Sequence, residues 1–149
     1  MSDRLERDLV REGLTLAEPA KRIKAFILDE VLLSLVIFVA FWDRFAAAQS
    51  TTESLEVLNS LVMWVVLIKI AYHTIFIAYY GATLGKLWQR IFVITQDGFA
   101  KPPFLAALSR SSMRVVSEWL FYFGFLWAFV NPNRQTWQDK IARTLVVNG

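Results

Sequence analysis

Three runs of apolar residues constrain this chain more than any other feature. The first extends from Ala25 to Trp42 and is interrupted by Asp29 and Glu30. The second extends from Val57 to Tyr80 and is interrupted by Lys69 and His73. The third extends from Val115 to Val130, with Glu118 inside it. Helices of soluble proteins carry a polar face, and these runs largely do not. The first two are long enough to cross a hydrocarbon core of roughly 30 Å, which takes about 20 helical residues. The third, at about 1.5 Å per residue, reaches only about 24 Å. Composition agrees: 56% of the 149 residues are hydrophobic and 19% are charged, a larger apolar surplus than a small soluble domain carries.

The fold class expected is therefore an all-α integral membrane protein. Spans are expected at about 25–42 and 57–80, and a third segment at 115–130 either crosses or re-enters. Residues 1–24 hold eleven charges and no apolar core of signal-peptide type, so the first span is expected as a retained anchor. Residues 1–19 form an amphipathic segment, with Leu5, Leu9 and Leu16 loosely on one side and Asp3/Arg7 and Arg4/Asp8 one turn apart. It reads as a surface, docking or solvated charged helix that Pro19 ends. Residues 20–149 form the membrane domain.

Basic residues set the orientation. Arg4, Arg7, Arg11, Lys21, Arg22 and Lys24 precede the first span, and Lys86, Arg90, Lys101, Arg110 and Arg114 follow the second. The loop between has Arg44 against Asp43, Glu53 and Glu56. Lys and Arg stay on the cytoplasmic side, which puts the N-terminus and 81–114 inside and 43–56 outside. The tail carries Arg134, Lys140 and Arg143 and prefers the same side. That favours a re-entrant hairpin, with Gly124 as a bend point, against a plain third crossing. Residues 89–96 and 144–147 are β-branched and apolar, with Asp97-Gly98 as a turn signal. They are expected to pair as a short cytoplasmic strand pair.

Several function classes drop out. The chain has no Cys and one His, which removes thiolate chemistry and sites built on several His. A net charge of +3 is too small to indicate nucleic acid. No Ser stands with His73 in a nucleophile pattern, so no enzyme is expected, and no cofactor or metal is implied. The bilayer is the expected partner, together with self-association or other membrane proteins. Gly81-Ala82-Thr83-Leu84-Gly85-Lys86 lacks the spacing and the Ser or Thr of a phosphate-binding loop. It reads as a membrane-exit turn with Lys86 at the headgroups.

The ionisable residues inside the runs are the candidate site. From Lys24, Asp29 lies about 7.5 Å deeper. From Tyr80, His73 lies about 10 Å and Lys69 about 16 Å deep, and Glu118 lies about 6 Å past Arg114. All fall in the inner half of the bilayer. Asp29, Glu30, Lys69, His73 and Glu118 are therefore read as one cytoplasm-facing polar cluster. Arg110, Arg114 and Glu118 share a stripe, and Arg22 shares a face with Asp29. The cluster either pairs to hold the segments together or forms a proton or cation path.

The chain resembles the RDD family, small and mostly bacterial membrane proteins named for one Arg and two Asp. The resemblance rests on Arg22-Ile23-Lys24-Ala25-Phe26-Ile27-Leu28-Asp29 and on Gly81-Ala82-Thr83-Leu84-Gly85-Lys86 with Val93-Ile94 and Asp97-Gly98. Arg110 and Arg134-Gln135-Thr136-Trp137-Gln138-Asp139, followed by Ala142-Arg143-Thr144-Leu145-Val146-Val147, complete it. Gln138 stands where the family often has His, and Arg143 and Arg90 where it often has Gly. The resemblance implies a membrane location without a settled activity: some members are proposed cation/proton antiporters and others look like accessory modules; the location expected for this chain is the inner (plasma) membrane. It also implies that Arg22, Asp29, Arg110 and Asp139 form a frame, with Arg22–Asp139 and Arg110–Asp29 pairings both open.

Overall fold

The computed structural model describes residues 3–149. The chain is mostly helical with one small sheet. Helix α1 (Asp3–Arg11) is followed by α2 (Pro19–Ala40), α3 (Trp42–Ala47), α4 (Thr51–Tyr80) and α5 (Leu84–Trp88). Strand β1 (Ile91–Thr95), helices α6 (Phe104–Trp119), α7 (Phe123–Val130) and α8 (Trp137–Ile141), and strand β2 (Thr144–Asn148) complete it.

Pro19 opens a helix instead of closing one. Its fixed φ suits the first turn, where its missing N–H is not needed. The amphipathic helix ends earlier, at Arg11, and Gly13 turns the chain at φ +66. The Asp3/Arg7 and Arg4/Asp8 pairs lie outside the described side chains. Leu5 and Leu9, with Leu14 and Leu16 beyond the turn, pack on one face of the sheet against Ile94, Leu145 and Val147. The N-terminal segment thus docks on its own chain.

β1 and β2 pair antiparallel, with Ile91 opposite Asn148 and Thr95 opposite Thr144. The chain before α2 adds to β2: the Ala17 N–H donates to Val146 O at 2.8 Å and the Asn148 N–H to Thr15 O at 2.9 Å. Alternation along the strands sends Ile91, Val93 and Val146 to the other face, where they meet Ala17, Ala25, Ile77 and Ala107. The sheet is covered on both sides and ties residues 14–17, 91–95 and 144–148 into one layer.

Among the described residues, α4 is the one helix long and apolar enough by itself to cross a membrane. Ser50 caps its start by accepting from the Glu53 N–H, and Gly81 at φ +71 ends it. Much of its apolar surface is outward, including Leu55, Met63, Trp64 and Leu67. α2 is long enough but carries five charged residues in its 22. The run at 115–130 is not one helix. α6 begins well before it, at Phe104, and the axis turns by 103° between Trp119 and Phe123. The turn is made by Phe121 and Tyr122 in the left-handed region, φ 53 and 62. Gly124, the expected bend point, lies inside α7. There a Cβ would collide with the Ser117 hydroxyl and lie 3.1 Å from the Trp137 ring. Its role is close packing.

Candidate functional site

α2, α4 and α6 each bring charged side chains inward, and α5 and α8 close over them. The single cluster expected from spacing divides: Glu30, Lys69 and Glu118 stay together, Asp29 stands apart and His73 lines a cavity, while a separate network forms on Asp139.

The first network centres on Asp139, which is fully buried. Arg22 from α2 and Arg110 from α6 both pair with its carboxylate, one on each oxygen. The Thr136 N–H donates to the same group at 2.9 Å, fixing Asp139 in the first turn of α8. Arg110 also donates to Thr144 Oγ1 at 2.8 Å, and Arg22 to the Arg134 carbonyl. Of the two pairings left open by the sequence, Arg22–Asp139 forms. Arg110 takes the same partner, leaving Asp29 to others. Burial alone would raise the carboxyl of Asp139. Arg110, Arg22 and the Thr136 N–H outweigh it and hold the group well below its ordinary range.

Asp29 accepts from three neutral donors. The Tyr72 hydroxyl reaches it at 2.8 Å, the Thr83 hydroxyl at 2.6 Å and the Gly85 N–H at 2.9 Å. This explains the Gly81–Lys86 segment: Thr83 supplies a hydroxyl, and Gly85 supplies an N–H from a helix pressed against α2. A Cβ on Gly85 would overlap the Ala25 carbonyl and come within 2.9 Å of Asp29 Oδ1. Lys86, expected at the headgroups, is instead buried. It sits there because Gly85 draws the first turns of α5 onto α2. Burial pulls its ammonium down to about 7. Asp29 opposes this, while Arg110, Arg114 and Arg22 reinforce it.

Glu30, one residue on, faces another way. Lys69 pairs with Glu30 at 2.7 Å and with Glu118 at 2.8 Å. Arg114 pairs with Glu30 at 3.0 Å and with Glu118 at 3.2 Å. The result is a closed ring of alternating sign across α2, α4 and α6. The Arg114 guanidinium also lies over the Phe26 ring, 4.7 Å from its centre.

His73 joins neither network, although it shares a face of α4 with Lys69. It is buried, and neither ring nitrogen has a hydrogen-bond partner among the described residues. It lines a cavity of about 230 Å³ together with Arg22, Lys86, Arg110, Arg114 and Gln138. Among the described residues, no group of three or more His, Asp or Glu is placed to hold a metal ion.

Sequence reasoning missed Tyr72, Thr83, Lys86 and Gln138 as interior polar groups. The Gly81–Lys86 pattern carried the signal for Thr83 and for the Gly85 N–H beside it, since a Thr and a Gly two apart are a hydroxyl donor and a close-approach N–H. Tyr72 and Gln138 carry no such signature.

Comparison with curated proteins and with solved structures yields no match. Arg22, Asp29, Arg110 and Asp139, strand β1 and the Gly81–Lys86 segment all fall within residues 16–143, which match the family model, and the chain belongs to the RDD family.

Proposed function

We propose that the protein is a non-enzymatic accessory or interaction module of the inner (plasma) membrane, acting through a second copy or another membrane protein. Membership of the RDD family and the apolar α4 point to a membrane protein of unknown role. The observation that carries the module reading is charge closure. Glu30, Lys69, Arg114 and Glu118 satisfy one another, Asp139 is held by two guanidinia, and Asp29 has three donors. A group that exchanges a cation must change partners. Here the partners stand on different helices, and releasing them would separate those helices. Two or three crossings in one chain also enclose no pathway by themselves.

The proposed topology has the N-terminus inside, α2 and α4 crossing, and the bent α6–α7 pair re-entering. The shared sheet supports it, because residues 14–17, 91–95 and 144–148 hydrogen-bond in one layer and so share a side. Cation/proton exchange is the competing reading, and the unpartnered His73 is the observation in its favour. Cation-driven proton flux in vesicles holding only this protein separates the two. The module reading expects no flux above empty vesicles from folded protein. A flux abolished by Asp29→Asn together with His73→Ala would replace it with exchange.

A further inference from the structure

The cavity between α2, α4, α5, α6, α7 and α8 has a charge imbalance that the closed networks lack. Arg22, Lys86, Arg110 and Arg114 line it, and among the described residues no carboxylate does. Arg114 is neutralised by Glu30 and Glu118, and Arg22 and Arg110 share the single charge of Asp139. Lys86 is left over. It is 7% exposed, and its one hydrogen bond, to Thr83 Oγ1, is 3.5 Å long. Among the described residues it has no ion pair within 4.0 Å. A buried ammonium without a hydrogen-bonded counter-charge is costly. Two further polar groups line the same space without partners: the ring nitrogens of His73 and the side-chain carbonyl of Gln138, both almost fully buried. The guanidinia of Arg22 and Arg110 each carry five N–H donors, more than their protein partners use.

The opposite side of the cavity is apolar. Phe26 and Phe125 wall it. Ile23, Leu126 and Phe129 also line it and are 46%, 53% and 61% exposed, so the charged floor runs out to apolar outer surface. The volume, about 230 Å³, is far more than one water needs.

We infer that this cavity binds a phosphate-bearing anion, with the phosphate on Lys86, Arg22 and Arg110 and any attached hydrocarbon chain leaving past Ile23, Leu126 and Phe129. The phosphate belongs either to an anionic phospholipid or to free phosphate, and both present the same oxygens to the floor. The apolar exit gives the phospholipid an additional contact that free phosphate lacks.

The test uses the purified full chain in detergent, with bound lipid counted by native mass spectrometry. Phosphatidylglycerol is expected to be retained at one per chain in preference to phosphatidylcholine. Lys86→Gln is expected to weaken retention about tenfold, the size of one charge-assisted hydrogen bond. Lys86→Arg should keep it, and Lys140→Gln, on the exposed side of α8, should leave it unchanged. A parallel titration with inorganic phosphate reads the thermal unfolding midpoint. A Lys86-dependent rise as large as that given by phosphatidylglycerol would identify free phosphate as the source. If Lys86→Gln does not fold, His73→Phe keeps every Lys and Arg, removes the unpartnered ring N–H donor and should still weaken retention. The inference is overturned if neither anion binds in preference to phosphatidylcholine. It is also overturned if folded Lys86→Gln binds like wild type, or if Lys86→Gln does not fold and His73→Phe binds like wild type.

Discussion

Two buried charges differ in how completely the fold answers them. Asp139 is over-answered, with two guanidinia and an N–H on one carboxylate. Asp139→Asn would leave the buried Arg110 and the half-buried Arg22 guanidinia without their charge partner and is expected to cost about 3–5 kcal/mol in denaturant unfolding. The same pairing predicts acid sensitivity. The folded group titrates below its ordinary 3.8, so its contribution is complete above about pH 4 and is lost as pH falls from there toward the folded value. Lys86 is under-answered. Its folded value of about 7 lies below its ordinary 10.5, so between those values the unfolded chain binds more protons and stability rises with pH. From pH 7 to 9 the gain is about 2 kcal/mol, and Lys86→Met should lack it. Unfolding of both proteins at the two pH values, compared as a difference, checks this. Asp29 and Glu30 show why side-chain pairing was not legible in the sequence. They are adjacent, yet about 100° apart around the helix, so one meets α5 and the other the Lys69–Arg114 ring.

At the scale of elements, long apolar runs and alternating strands were legible because each is a local pattern. The strand pair falls within two residues of its expected bounds. The break between α6 and α7 was not legible. Phe121 and Tyr122 take left-handed φ without being Gly or Asn, so no turn signal marks them. What holds them is tertiary: Tyr122 stacks edge-on to Phe26 of α2, its ring centre 5.7 Å away. Gly124, the apparent hinge, is a contact point instead. Gly85 is another, and Gly85→Ala is expected to force α5 off α2 and weaken the N–H donated to Asp29. The cost should be about 1–3 kcal/mol of overpacking, read as a lower unfolding midpoint.

At the scale of the molecule, the sheet links segments more than 120 residues apart, since Leu16 bridges to Val147. Reporters fused at the N-terminus and after Gly149 are therefore expected to read the same side of the membrane. Opposite sides would exclude the re-entrant topology and require the sheet to open. The sequence by itself determined where apolar surface concentrates, where strands form and which charges lie within reach of one another, because these follow from local order and spacing. Only the tertiary structure decided that Arg22 and Arg110 share Asp139, that Asp29 takes neutral donors, and that Lys86 is buried beside a cationic cavity. Pairing depends on helix rotation, on a bend made by residues without a turn signature, and on the contact at Gly85, and none of these is encoded in spacing along the chain.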